Sequence, residues 1–262
     1  MDIPTKYYVE LEHDGFDKEA YENAIVFAAK LALQDKGVKR VVCYIPTKRN
    51  TGFLQPFFIE RAINRMFATN VNVDGYPVPL KIETKLTYAR NSNGAPQDVV
   101  LAFGMDLDHL AVLDDYNCVR YIIAIPWVME LTMPWVVRWN AVEITGKQAD
   151  VPTSGLSEVA KVALQELTGL INMSTGISHP SDNDRAKTYV RALHKYEASL
   201  NEDNVVSYLV TELHWTSANA KEVGLLVKKL NEKKRFQGGE KTGLRTHYKR
   251  WQEKLKDRGN SK

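Results

Sequence analysis

Several short segments of this chain are apolar on both sides of the pleat, and stretches of helical periodicity space them apart. Val41-Val42-Cys43-Tyr44-Ile45 is the clearest. A strand without polar alternation must be buried on both faces, as in a parallel sheet covered by helices. Residues 7–12, 98–104 and 119–127 read as further strands, and residues 141–144 as a last one. Behind the capping side chain of Asp17, Tyr21, Ala24, Ile25, Ala28, Leu31 and Ala32 recur at three- and four-residue steps, and Gly37 supplies a stop. Residues 54–68 and 107–116 read as the next crossover helices. Residues 130–140 read as another, with Pro134 in its first turn, where a missing N–H does no harm. This alternation predicts an α/β domain over residues 1–148, doubly wound and Rossmann-like, with a mostly parallel sheet.

Residues 145–155 have no periodicity and gather Gly, Pro, Asp, Thr and Ser, which marks a boundary. Beyond it only helical stripes follow, at 156–171, 181–200, 202–213 and 217–230, and a final one at Leu244, Tyr248, Trp251 and Leu255. Residues 156–262 therefore predict a smaller all-helical domain. Ser181 to Asp184 has the form of a capping box, and Ser217 is placed to cap the fourth stripe.

Charge is segregated along the chain. Residues 221–262 hold 14 Lys/Arg against 5 Asp/Glu, a net of +9, whereas the other 220 residues hold 21 against 27. Clustered positive charge attracts polyanions, so nucleic acid is the expected partner. Residues 202–230 form two amphipathic stripes across a tight turn, consistent with a helix-turn-helix in which Asn219 and Lys221 could face bases. Lys228, Lys229, Lys233, Lys234 and Arg235 follow at the end of the second stripe, and Lys241, Arg245, Lys249 and Arg250 surround the last one. These nine cations are the candidate nucleic-acid contacts. The last stripe reads as a helix docked by its apolar side.

No apolar run approaches the ~20 residues of a membrane helix, and the first residues are not those of a secretory signal. A cytoplasmic protein without membrane contact is expected. Cys43 and Cys118 lack metal-ligand spacing and read as reduced packing residues.

In doubly wound sheets ligands gather beyond the carboxyl ends of the strands. His13 and Asp14 fall there after the first strand, Thr47, Lys48, Arg49 and Asn50 after the second, and Asp106 after the strand at 98–104. Lys48 and Arg49, beside hydroxyl and amide donors, suit a small phosphate-bearing ligand, and His13 with Asp14 could form an acid/base pair. No Gly-x-Gly-x-x-Gly or Walker loop is present, so no dinucleotide or nucleoside triphosphate is indicated.

Asp74 precedes a turn at Gly75-Tyr76-Pro77, and Glu83-Thr84-Lys85 follows on what reads as the returning strand of a hairpin. This resembles the Asp…Glu-x-Lys pattern of the restriction-endonuclease-like nucleases, over about 26 residues. The resemblance implies Asp74 and Glu83 as Mg²⁺ ligands, Lys85 as the group orienting the attacking water, and Glu60 as a third acidic ligand. A module binding an acidic protein partner is the remaining alternative.

Overall fold

The computed structural model describes residues 4–49, 51–90, 94–147 and 155–259. The chain divides into two compact units, Met1–Val151 and Pro152–Lys262.

The first unit is a six-stranded, all-parallel sheet: β1 (Thr5–Tyr8), β2 (Arg40–Ile45), β3 (Leu80–Thr84), β4 (Asp98–Phe103), β5 (Val119–Ile125) and β6 (Val142–Glu143), in spatial order β3-β2-β4-β5-β1-β6. Its helices are α1 (Lys18–Gln34), α2 (Glu60–Ala68), α3 (Lys85–Ala89), α4 (Leu107–Asp114) and α5 (Met129–Trp139). The crossovers β1→β2→β3 run toward the β3 edge, and those from β3 onward run the other way. Right-handed crossovers then require α1 and α2 on one face and α3, α4 and α5 on the other. The cores agree. One face packs Val41, Cys43, Ile45, Leu101 and Ile123 under Tyr21, Ile25, Ile63 and Met66 of α1 and α2. The other packs Val42, Val100 and Ile122 against Tyr88, Leu110, Leu113 and Trp135 of α3 to α5. Each fully buried Val, Ile or Leu contributes about 1.5–3 kcal/mol, which is why β2 and β4 carry no exposed position. Cys43 and Cys118 are buried and free, in the cores on opposite faces of the sheet.

Several boundaries differ from the sequence expectation. β1 ends at Tyr8 instead of residue 12. The stretch at 54–68 splits into a 3-10 turn, Gly52–Leu54, and α2, whose N-cap Ile59 is extended (φ −66°, ψ 146°) and interrupts the helical run. Pro134 lies inside α5 and not in its first turn. It is exposed and forfeits one early intrahelical bond, while Trp135 and Val136 beside it are fully buried. The expected hairpin at 71–87 is reduced to one antiparallel bridge, Val71↔Leu80, and β3 pairs with β2 in parallel.

A buried charge holds the underside of the second face. The Lys6 ammonium lies 3.5 Å from Asp114, both side chains almost wholly buried, and 3.6 Å over the Trp139 ring. The indole N–H groups of Trp135 and Trp139 donate to the other Asp114 oxygen, at 3.1 and 2.7 Å. Burial pushes the Asp114 carboxyl up to about 6 against the opposing pull of Lys6 and the indoles, and it pushes Lys6 down.

The second unit is helical: α6 (Glu158–Leu170), α7 (Pro180–Tyr196), α8 (Glu202–Thr211), α9 (Ser217–Asn231) and α10 (Leu244–Gly259). Its caps are readable but shifted. Pro180 is the first residue of α7 and His179 its N-cap, so Ser181 falls inside the helix and no capping box forms there. Thr216, one residue before Ser217, caps α9 by accepting from the Asn219 N–H. Among the described residues no helix is long and apolar enough to cross a membrane.

Candidate functional site

In the helical unit Glu166 of α6 organises the basic end of the chain. Its carboxylate accepts from the Tyr189 hydroxyl of α7 and from Arg250, Lys254 and the Trp251 indole of α10, the last at 3.2 Å. Burial alone would raise this carboxyl, but the bonds from Lys254, Tyr189 and Trp251 and the charge of Arg250 outweigh it and hold it at about 2. Trp251 is fully buried, and the Tyr248 hydroxyl donates to Glu197. α10 is thus docked by its apolar stripe, and two of its cations are spent inside the unit. The charge segregation also lies within this unit, since residues 152–220 carry 8 Asp/Glu and 5 Lys/Arg.

The loop between α9 and α10 is fixed. Arg191 donates to the carbonyls of Phe236 and Gly238, at 2.7 and 2.5 Å, and stacks on the Phe236 ring. The Gly239 N–H donates to Asp184 and the Glu240 N–H to Thr188. Gly239 has φ +66°, and a Cβ there would lie 2.8 Å from that of Lys187, so this close approach needs glycine.

The nine candidate cations divide accordingly. Arg250 is bound to Glu166, and Lys234 pairs with Glu232 at 2.7 Å. Lys228, Lys229, Lys233, Arg235, Lys241, Arg245 and Lys249 are exposed, with no carboxylate within ion-pair distance among the described residues. Lys228 and Lys229 lie in the last turn of α9, where the helix dipole also favours a cation over an anion, so their placement has a local rationale too, and Lys233 and Arg235 follow just beyond the helix. Arg245 and Lys249 are one turn apart on α10.

The α8–α9 pair is joined by residues 212–216, with His214 at φ +57°, a turn longer than the 3–4 residues of most DNA-reading pairs. Asn219 is turned inward: its amide donates to the Met173 carbonyl and packs against Gly176. Lys221 is exposed on α9.

In the α/β unit the reversal of crossover direction leaves two switch points, β2/β4 and β5/β1. The second is tied shut: the Gly15 N–H donates to the Trp127 carbonyl at 2.7 Å, and the Met129 N–H donates to Asp14 at 3.0 Å. Asp14 thereby serves the start of α5, and nothing joins it to exposed His13. Beside β2/β4, Phe53, Phe103, Tyr21 and half-exposed Trp127 fill the space, with Phe53 and Phe103 rings 4.8 Å apart. Asp106 caps α4, accepting from the His109 N–H at 2.9 Å and meeting its Nδ1 at 2.7 Å. Thr47, Lys48 and Arg49 are exposed on the loop after β2, and Lys48 lies 5.9 Å from the Phe67 ring. Asn50 lies outside the described residues.

Asp74 is exposed in the turn before β3, Glu83 is buried within β3, and Lys85 is the exposed first residue of α3. No hydrogen bond or ion pair links any two of them. Among the described residues no group of three or more His, Cys, Asp or Glu is arranged to hold a metal ion. The lysine on the same face of β3 as Glu83 is Lys81, two residues earlier, as the pleat requires.

A family described as a domain of unknown function (DUF1889) matches residues 156–252, within the helical unit. No curated protein and no solved structure gives a significant match to the chain.

Proposed function

We propose that this is a cytoplasmic nucleic-acid-binding protein that grips the phosphate backbone with the end of α9, the loop after it and the outer side of α10. The observation that carries this reading is the charge remaining after internal pairing. Glu166 consumes Arg250 and Lys254, yet Lys228, Lys229, Lys233, Arg235, Lys241, Arg245 and Lys249 stay solvated with no carboxylate within ion-pair distance. Arg191 anchors the backbone of the loop between them, so binding need not order that backbone. Phosphate contact is favoured over base reading because Asn219, the amide best placed to read a base, is engaged by Met173. Lys48 and Arg49 of the α/β unit are candidates for a small phosphate-bearing ligand in the same reading.

The test is fluorescence anisotropy of labelled duplex DNA and single-stranded RNA with the full chain at low ionic strength. Replacing Lys228, Lys229, Lys233 and Arg235 with Gln should weaken binding by at least about tenfold, since each phosphate contact adds to affinity. Unchanged affinity contradicts the reading, and absence of binding to either polymer favours an acidic protein partner instead.

A further inference from the structure

The α/β unit contains a groove far from the carboxyl ends of its strands. It opens beside edge strand β3, toward the amino ends of β2 and β4, and has room for about 510 Å³. Every side chain lining it is polar or charged, among them Lys39, Arg40, Asn70, Lys81, Glu83 and Gln97. Apolar ligands are therefore disfavoured, because nothing there replaces water around them.

The charges in the groove are not equivalent. Arg40 is spent on Asp98, which it meets with two hydrogen bonds of 2.8 Å, and Asp98 also accepts from the Tyr88 hydroxyl. Lys39 is exposed and donates to the Lys36 carbonyl, and Lys81 donates to the Phe67 carbonyl at 3.2 Å. A carbonyl uses one of three ammonium protons, so both lysines keep donors for a guest. Glu83 is the opposite case. It is only 3% exposed, lines the groove and has neither a hydrogen bond nor an ion pair. The Glu83 oxygens keep some solvent contact through the groove, so the carboxylate is open to a donor from a guest.

We infer that this groove is a binding site for a small anion that also carries hydroxyl groups, of the sugar-phosphate class. The anionic group faces Lys39 and Lys81, a hydroxyl donates to Glu83, and the amides of Asn70 and Gln97 bond the remaining oxygens. The site lies in the unit without the basic helices, so it stands independently of nucleic-acid binding.

Calorimetric titration of the full chain with ribose 5-phosphate, ribose and inorganic phosphate tests it. Ribose 5-phosphate should bind saturably, and either fragment at least about tenfold more weakly, since each supplies half of the matched contacts. Glu83→Gln and the exposed Lys39→Met should each weaken ribose 5-phosphate by about tenfold or more. Replacing Lys228, Lys229, Lys233 and Arg235 should leave it unchanged. Lack of saturable binding, or affinity untouched by Lys39→Met in a folded variant, overturns the site. Equal binding of phosphate alone overturns the ligand class.

Discussion

The Trp251 indole N–H donates to the Glu166 carboxylate at 3.2 Å and so pins the last helix to the first one of its unit. Arg250, Lys254 and Tyr189 converge on the same carboxylate, which holds it ionised down to about pH 2. A carboxyl lowered in the folded state contributes stability above its unfolded value of 4.5, and loses it as pH falls toward 2. Between those limits the unfolded chain binds more protons, so the sign is fixed. Wild type should lose roughly 1–2 kcal/mol of helical-unit stability between pH 5 and 2, once solvent screening of the half-exposed Arg250 and Lys254 is allowed for, and Glu166→Gln should lose much less. Urea unfolding followed by the Trp251 indole NMR signal measures the difference. Equal losses would remove Glu166 from that role.

Gly224 lies inside α9 where a Cβ would come within 2.4 Å of the Val206 methyl of α8. Alanine normally stabilises a helix interior by about 1 kcal/mol relative to glycine. Here Gly224→Ala should instead destabilise by about 1–3 kcal/mol, because the two helices must part. Adding Val206→Ala should restore part of the loss. A thermal melt that rises for Gly224→Ala contradicts this close packing.

The Lys6–Asp114 pair predicts an asymmetry between single and double replacement. Lys6→Met alone leaves a buried carboxylate without its counter-ion and should cost about 3–5 kcal/mol at pH 7. Burial raises Asp114 to about 6 even against the pull of Lys6, and the carboxyl rises further without the lysine, so protonation restores much of that loss as pH falls. Lys6→Met combined with Asp114→Asn should lie near wild type, within about 1–2 kcal/mol. Denaturant midpoints at pH 7 and pH 5 for the three proteins check it.

The sheet was legible because β2, β4 and β5 are apolar at almost every position, and only two-sided burial accounts for that. Strand order was not, because β1 is four residues long and its place between β5 and β6 depends on where the crossovers turn back. The docked last helix was visible in the stripe Leu244, Tyr248, Trp251 and Leu255. The acceptor that neutralises Arg250 was not, since Glu166 lies 84 positions away. The groove was hidden for a similar reason: Lys39, Lys81 and Gln97 meet only once β2, β3 and β4 pair. The one local signal was Lys81 and Glu83 at strand spacing, a mark of shared face. Glu83 and Lys85 do not share a strand face because α3 begins at once after β3.

The dependence of duplex-DNA affinity on salt reads out the number of phosphate contacts. With phosphate contacts, log K falls linearly with log salt at about 0.9 per contact. Replacing Lys228, Lys229, Lys233 and Arg235 with Gln should reduce the magnitude of that slope by about 3–4, with far-UV circular dichroism unchanged. A slope that is the same in both proteins, or no dependence on salt in the wild type, would contradict the claim that these solvated cations meet nucleic-acid phosphates.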